Sequence, residues 1–228
     1  MTGKLIAFEG IDGSGKTSIL SRLCKEYGDN PKYQFSKEPT RSSTGDACYQ
    51  AINSGDEILA ALAFAVDHRW HIKHVIEPAL AAGNHIFTDR YIHSHYAYQV
   101  QTLENDPDLD AKNTSPIDWL DAIYTPFTRY PDYVFWFVVD PDEAVNRIKS
   151  SRTKDKIDLY ETAEFLSKVH TEYQKQLVSN RINADNSVYL VIDTNLKNLD
   201  EVYQDVVMCL ETLNILPSAN PNTPDAPV

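Results

Sequence analysis

One continuous segment of the sequence carries a specific chemistry: residues 10–17 read Gly-Ile-Asp-Gly-Ser-Gly-Lys-Thr. The segment matches G-x-x-x-x-G-K-[ST], in which successive backbone N–H groups wrap a phosphate and the lysine reaches the β- and γ-phosphates. The hydroxyl after the lysine can hold Mg²⁺. The pattern predicts ATP or GTP binding by these residues: Gly10, Asp12, Gly13, Ser14, Gly15, Lys16, Thr17 and Ser18.

A second candidate site is the pair Asp89-Arg90, which directly follows the apolar run at residues 85–88. Open α/β sheets bind their ligands beyond the C-terminal ends of their strands. Transfer of a phosphoryl group between two anions needs cations that contact both of them. We therefore expect the pair to lie at a ligand site where Arg90 can contact an anion, with a purely structural salt bridge as the alternative.

A basic segment at residues 147–156 contains Arg147, Lys149, Arg152, Lys154 and Lys156. Such runs are often solvated surface. However, positions 11–14 of the phosphate loop contain no arginine, so the cation for the transition state must come from elsewhere. The segment lies between two predicted helices, where closure could bring it over ATP. We expect Arg152 to supply this cation, with Arg147 as the second candidate.

The elements that must position these residues alternate along the chain. Apolar runs of strand length lie at residues 5–8, 33–36, 85–88, 133–139 and 188–192. Helical spacing is found at residues 17–27, 57–82, 94–101, 159–179 and 199–213, with further helix starts at Ser115-Pro116 and Asp140-Pro141. Residues 104–114 are polar and are interpreted as a loop. The alternation predicts an α/β fold with a mostly parallel sheet and right-handed crossovers.

Composition excludes several classes of protein. The chain has 228 residues and a net charge of −12 at pH 7, which argues against a nucleic-acid binder with a broad basic face. No apolar run approaches the roughly 18 residues of a membrane span. The three cysteines form no Cys-x-x-Cys pair and indicate thiols in the cytoplasm. We expect one domain over residues 1–216, with a lid near 147–157, and a disordered tail over 217–228, which contains four prolines.

Several motifs in order resemble those of thymidylate kinases. They are Phe-Glu-Gly-Ile-Asp-Gly-Ser-Gly-Lys-Thr at 8–17, Lys-Glu-Pro-Thr-Arg at 37–41, Asp-Arg-Tyr at 89–91, and Ser94 with Ala97-Tyr98-Gln99. The resemblance covers residues 4 to about 213. It implies a three-layer P-loop nucleoside-monophosphate-kinase fold with a five-stranded parallel sheet and a mobile lid. It also implies phosphorylation of dTMP to dTDP by ATP with Mg²⁺, usually by a homodimer.

The same resemblance implies roles for single residues. Arg90 and Arg41 would bind the acceptor phosphate, Asp89 would organise Mg²⁺ with Thr17, and Asp12 would face the deoxyribose 3′-hydroxyl. A carboxylate inside a phosphate loop otherwise repels its ligand. The acceptor pocket would contain Phe64, stacked on thymine, and the residues Ser94, Tyr98 and Gln99.

The sequence departs from the family pattern at two places, the first of which concerns the residue that would read the base. The family arginine four residues after the aromatic falls on His68, with Arg69 one position further, and His95 follows Ser94 where a small polar residue is common. A core role for Phe64 and a structural role for His68 are alternatives. A kinase for another monophosphate, a deoxynucleoside kinase and a non-catalytic nucleotide-binding module also stay open. The guanine-reading motif Asn-Lys-x-Asp of GTPase switches does not occur.

Overall fold

The computed structural model describes residues 2–151, 162–179 and 187–218. Its five strands are β1 (Leu5–Glu9), β2 (Tyr33–Lys37), β3 (His85–Asp89), β4 (Tyr133–Val138) and β5 (Val188–Asp193). They form one sheet in the order β2-β3-β1-β4-β5, and all four pairings are parallel. The predicted strands are therefore confirmed, and the parallel order brings their C-terminal ends to one edge of the sheet.

The helices described along the chain follow these bounds: α1 (Lys16–Tyr27), α2 (Ser43–Ser54), α3 (Glu57–His71), α4 (Glu77–Ala81), α5 (Ile92–Thr102), α6 (Pro107–Ala111), α7 (Pro116–Tyr124), α8 (Pro141–Ser151), α9 (Ala163–Ser179) and α10 (Leu199–Thr212). A π-helical turn, Ile72–Ile76, joins α3 to α4, so the predicted helix over 57–82 is one run with this interruption.

Apolar residues on both faces of the sheet make three layers. On one face, Ile19 of α1 and Val206 of α10 pack against Phe8 and Phe135, whose rings stack with centroids 5.2 Å apart. On the other face, residues of α3, α5 and α7 pack against Leu5 and Ala7 of β1. All five residues of β1 are buried, because a central parallel strand is covered on both sides. The three-layer α/β fold is confirmed.

Two short polar segments differ from the sequence-based prediction. Residues 104–114 contain α6, which begins where the Asp106 side chain accepts hydrogen bonds from the N–H groups of Asp108 and Leu109. Helix α2 has no counterpart among the predicted helices, and Ser42 caps it by accepting from the N–H groups of Thr44 and Gly45. Ser, Thr, Asp and Gly have low intrinsic helix propensity, so these helices depend on their caps.

The predicted lid lies mostly outside the described residues. Helix α8 contains Arg147 and continues to Ser151, while Arg152 belongs to the undescribed range 152–161. The predicted tail likewise falls largely on residues 219–228, outside the description, so the division into one domain and a tail stays a prediction. Among the described helices, none is long and apolar enough to cross a membrane.

Candidate active site

The phosphate loop joins the end of β1 to the start of α1. Gly15 precedes the helix in the left-handed conformation, with φ of 92°, and no side chain caps the first turn. Gly13 also has a positive φ, and a Cβ there would lie 2.4 Å from the carbonyl oxygen of Ala144 in α8. The positive end of α1 is therefore available to an anion, and the loop backbone packs too closely at Gly13 for another residue type.

Lys16 places a buried amine at the centre of this loop. The residue is 4% exposed, and its Nζ donates to the carbonyl oxygen of Ile11 at 2.8 Å and to Ser14 Oγ at 3.2 Å. Burial, followed by the charge of Arg90, lowers the pKa of the Lys16 amine to about 8. A desolvated amine that still carries a proton near neutral pH interacts strongly with phosphate oxygens.

Thr17, at the end of the phosphate loop, and Asp89, at the end of β3, bring a hydroxyl and a carboxylate together. The Thr17 hydroxyl donates to Asp89 Oδ2 at 2.5 Å. The other carboxylate oxygen, Oδ1, is buried and has no hydrogen-bond partner within the described part of the chain. A hydroxyl next to a carboxylate with a free oxygen suits a hard divalent cation such as Mg²⁺.

Arg90 connects the phosphate loop to α5. Its Nη2 donates to Asp12 Oδ1 at 2.5 Å and to the Tyr98 hydroxyl at 3.2 Å, while Nη1 donates to Ser94 Oγ at 3.2 Å. Tyr98 in turn donates to Asp12 Oδ2 at 3.0 Å. Burial raises the pKa of the Asp12 carboxyl, but the charges of Arg90 and Lys16 outweigh it, so this pKa lies below its ordinary value.

The backbone at Arg90 is strained. Its φ of 68° is in the left-handed region, which residues other than glycine adopt at an energetic cost. Three hydrogen bonds hold this turn: Arg90 N donates to the Phe8 carbonyl at 3.0 Å, Thr88 Oγ1 donates to the Arg90 carbonyl at 2.9 Å, and Tyr91 N donates to Glu9 Oε1 at 2.9 Å. The turn keeps Arg90 within reach of Asp12, beyond the end of β1.

Glu9 supports the site and was not identified from the sequence. The residue is 1% exposed at the end of β1, and its carboxylate accepts from Ser94 Oγ at 2.5 Å and from the Tyr173 hydroxyl at 3.0 Å. An isolated acid inside an apolar strand carries no spacing signal. Its partner Tyr173 is 164 residues away in the chain, so no local pattern could have found the contact.

Two cavities meet at this set of side chains. A cavity of about 650 Å³ is lined by the phosphate loop together with Arg147, Thr194 and Lys197; we call it the nucleotide cavity. A second, of about 290 Å³, is the acceptor cavity. Its lining includes these predicted site residues: Asp12, Phe64, Arg90, Ser94, Tyr98 and Gln99. Asp12 lines both cavities, so ligands in the two would adjoin one another at this residue.

His68 and Arg69 do not line the acceptor cavity, so the structure does not bring them together with the other residues expected to contact the acceptor. His68 is 0% exposed, and its Nδ1 lies 2.9 Å from Glu38 Oε1. Arg69 is exposed, and its guanidinium lies 5.7 Å from the centre of the Phe127 ring. His68 shares a helix face with Phe64, but it lies one turn further along α3, where this face of the helix is buried.

Two further predicted cations, Arg41 and Arg147, lie at the edges of the site. Arg41 lines a third cavity, of about 500 Å³, which it shares with Thr17 and Asp89. Arg147 is held by Thr194, donating to its carbonyl oxygen at 2.7 Å and to its hydroxyl at 3.1 Å. The position of Arg147 suits contact with a nucleotide. To contact the transferred phosphoryl group, Arg147 would have to break its hydrogen bonds to Thr194.

Comparison with known proteins agrees with the motifs. The family model described as thymidylate kinase matches residues 8–206. The probable thymidylate kinase of Methanococcoides burtonii is 35% identical over 214 residues, which cover 93% of this chain and 98% of the relative. The probable thymidylate kinase of Methanosarcina mazei is 37% identical over 180 residues, which cover 76% of this chain and 81% of the relative.

Among solved structures, a thymidylate kinase from Candida albicans shares the fold. Its TM-score is 0.70 at 24% identity, over 94% of this chain and 93% of that chain. The family match covers all of the residues that line the two cavities. The chain belongs to the thymidylate kinase family.

Proposed function

We propose that this chain transfers the γ-phosphoryl group of ATP to the phosphate of dTMP, giving ADP and dTDP. The observation that carries this proposal is the pair of cavities that share Asp12, one containing the phosphate loop and the other containing Arg90 and Phe64. Membership of the thymidylate kinase family supplies the identity of the two substrates. A binding module would need only the first of these cavities.

In this proposal the backbone of the phosphate loop and Lys16 hold the triphosphate of ATP. Arg90 binds the acceptor phosphate, with Arg41 approaching from the neighbouring cavity. An oxygen of that phosphate is already ionised, so no general base is needed. The oxygen forms a new bond to the γ-phosphorus as the bond from phosphorus to the leaving oxygen of ADP breaks. Asp12 and Tyr98 orient Arg90 through the contacts described above.

We propose that Thr17 and Asp89 hold Mg²⁺. The buried, unpartnered Oδ1 of Asp89 supports this assignment, since a carboxylate oxygen is a preferred Mg²⁺ ligand. When bound, the ion neutralises charge on the phosphates. The cation at the transferred group remains assigned to Arg152, with Arg147 second, on the ground that the phosphate loop has no arginine.

An ADP-release assay with ATP and a panel of acceptors tests the function. We expect strong preference for dTMP over dUMP, UMP, dCMP, AMP and thymidine, loss of turnover in EDTA, and recovery with Mg²⁺. Preference for thymidine would indicate a nucleoside kinase instead. Absence of turnover with every acceptor would favour the binding module.

We further propose a homodimer formed through α3. Leu59, Leu62 and Val66 are 47%, 43% and 58% exposed and follow one another at near-helical spacing. We expect Val66→Glu to shift the mass seen by light scattering from dimer to monomer, because it buries a charge in the interface. Met208→Glu is the matched control, since Met208 is equally exposed on α10. A monomeric wild-type chain would contradict the proposal.

We place this activity in the cytoplasm. The cysteines Cys24, Cys48 and Cys209 are all free thiols, which a reducing compartment preserves. ATP and dTMP are the partners that this proposal requires.

A further inference from the structure

A carboxylate surrounded by three imidazoles lies beside the acceptor cavity. We call Glu38, His68, His71 and His95 the Glu38 cluster. Glu38 accepts from His68 Nδ1 at 2.9 Å, from His71 Nδ1 at 2.7 Å and from His95 Nε2 at 2.6 Å. All four residues are at most 5% exposed, and Glu38 and His95 also line the cavity. The phosphate chemistry described above uses none of them.

Hydrogen bonds on the outer side of the cluster fix its protonation. An ionised carboxylate can only accept, so each imidazole nitrogen that faces Glu38 carries a hydrogen. The opposite nitrogens of His71 and His68 then accept from hydroxyls, those of Ser36 at 2.7 Å and Thr128 at 3.4 Å. Burial raises the pKa of the Glu38 carboxyl, yet the electrostatic interaction with His68 and the three hydrogen bonds from the imidazoles lower it more, to well below its ordinary value.

The same rule gives His95 one tautomer. Its Nε2 donates to Glu38, so in the neutral ring Nδ1 carries a lone pair. Within the described part of the chain, Nδ1 has no hydrogen-bond partner among the contacts of His95. Packing also fixes the ring: it stacks on Tyr124 with centroids 5.2 Å apart and an interplanar angle of 15°, and it lies 5.6 Å from the ring of Phe64.

Gln99 lies four residues after His95 on α5, on the same face of the helix. Both side chains line the acceptor cavity. Gln99 Oε1 accepts from the Tyr124 hydroxyl at 3.3 Å, which leaves the amide N–H groups of Gln99 as donors. Asp12, Arg90 and Tyr98, the other polar groups considered above, bond to each other. His95 and Gln99 therefore offer the cavity an acceptor and a donor from one helix face, beside the hydroxyl groups of Tyr49, Ser94 and Thr102 and the carboxylate of Glu57, which also line it.

Resting on the proposed function, we infer that His95 and Gln99 select the base of the acceptor: His95 Nδ1 accepts the imide N3–H of a thymine or uracil ring, and Gln99 donates to the adjacent carbonyl. Cytosine presents the opposite pattern, a lone pair at N3 beside an amino group. Its N3 would face the lone pair of His95 and its amino group would face the N–H groups of Gln99. Glu38 is a positioning residue, because it keeps the hydrogen of His95 on Nε2.

A metal ion is the competing interpretation, because ligand atoms of Glu38, His68 and His95 lie within 4.8 Å of one another. A metal would require lone pairs from His68 Nδ1 and His95 Nε2. Both nitrogens instead lie at hydrogen-bond distance from the carboxylate, and His68 has a hydroxyl on its opposite nitrogen. The contacts thus form a consistent donor and acceptor scheme that needs no ion.

The first test is His95→Phe, which keeps a ring against Tyr124 and removes the acceptor. We expect kcat/KM for dTMP to fall about 10- to 100-fold, mainly through KM, while KM for ATP stays unchanged. The kcat/KM for dCMP should not fall in parallel. The ratio of kcat/KM for dTMP to kcat/KM for dCMP should therefore drop by a similar factor. His85→Phe is the matched control, since His85 is 4% exposed on β3 and lines neither cavity. An unchanged ratio in His95→Phe overturns the inference.

The second test concerns Glu38 and does not depend on turnover. Long-range ¹H–¹⁵N spectra of the wild-type protein should show His95 as the Nε2–H tautomer. With ¹⁵N3-labelled dTMP, a scalar coupling should appear between N3 and His95 Nδ1. In Glu38→Gln the amide can donate to Nε2, so we expect the fraction of the Nδ1–H tautomer to rise and selectivity against dCMP to weaken. An Nδ1–H tautomer in the wild type overturns the inference.

Binding measurements separate this inference from the proposed function. Calorimetry without ATP should give tighter binding of dTMP than dCMP to the wild type, and His95→Phe should reduce that difference. This result without any phosphorylation would refute the kinase activity and support base selection. If the wild type phosphorylates dTMP and His95→Phe keeps the same preference for dTMP over dCMP, the kinase activity is supported and base selection by His95 is refuted. Stoichiometric zinc, lost in His95→Phe, would overturn the hydrogen-bond scheme.

Discussion

Replacement of Lys16 by methionine should lower kcat about 10³-fold, because it removes a positive charge from the place where negative charge develops on the transferred group. The Lys16 amine is almost completely buried, so water cannot replace it in the variant. Methionine is close to lysine in length and introduces no buried polar group, and removal of the desolvated charge offsets the loss of the hydrogen bonds to the Ile11 carbonyl oxygen and Ser14 Oγ. We therefore expect a melting temperature no lower than that of the wild type. Steady-state kinetics and thermal denaturation measure the two effects.

The control for Lys16→Met is Lys25→Met, which changes an exposed lysine on the same helix. That variant should retain wild-type kinetics. Near-normal turnover in Lys16→Met would contradict the proposed role. A collapsed melting temperature would instead show that the amine is needed for the fold, through its hydrogen bond to Ile11.

Because the Lys16 amine titrates near pH 8, kcat/KM for ATP should also depend on pH. The protonated amine binds phosphate, and its pKa of about 8 in the free enzyme means that the charged fraction falls as pH rises through 8. Because kcat/KM reports groups of the free enzyme, its value for ATP should decline up to tenfold per pH unit above about 8. Lys16→Met should lack this decline. A wild-type profile that is flat to pH 10 would contradict the assignment.

The parts of the site that could be predicted from the sequence are continuous in the chain. The phosphate loop binds phosphate through its own backbone and the first turn of α1, so residues 10–17 contain nearly the whole phosphate-binding site. Asp89 is the last residue of β3 and Arg90 follows it, and the end of this strand must face the ligand edge of a parallel sheet. In both cases a local pattern determines a position in space.

The supporting acids could not be predicted in this way. Glu9 and Glu38 each lie at or beside a strand end, and each is surrounded by donors from α5 and from other elements. Glu38 contacts His68, 30 residues away, and His95, 57 residues away. Helical spacing indicates which residues share a face, but it does not show how deep each lies. That is why His68 was expected in the cavity and is found packed against Glu38.

The second large effect is expected for Arg90. Arg90→Ala should lower kcat/KM for dTMP about 10²- to 10³-fold, since it removes the cation assigned to the acceptor phosphate. Arg90→Lys should recover little of this loss. A lysine is a point charge, whereas the guanidinium donates at once to Asp12, Tyr98 and Ser94. Kinetics with dTMP as the varied substrate measure both variants.

The strained backbone at Arg90 allows the loss of charge to be separated from a change in the fold. With φ of 68°, Arg90→Gly should be more stable than Arg90→Ala by about 1 kcal/mol, since glycine adopts this conformation without strain. Both variants lack the guanidinium, so both should lose activity equally. If Arg90→Gly were markedly more active than Arg90→Ala, the loss would come from the backbone and not from the charge.

Asp12 offers a second explanation for the same loss, because without Arg90 its carboxylate has no counter-charge in that contact and would repel both phosphates. The double variant Asp12→Asn with Arg90→Ala distinguishes the two causes. If repulsion dominates, the double variant recovers activity relative to Arg90→Ala alone. We expect no recovery, because the amide removes the repulsion but supplies no cation for the acceptor phosphate. Recovery above about tenfold would assign to Arg90 mainly the task of neutralising Asp12.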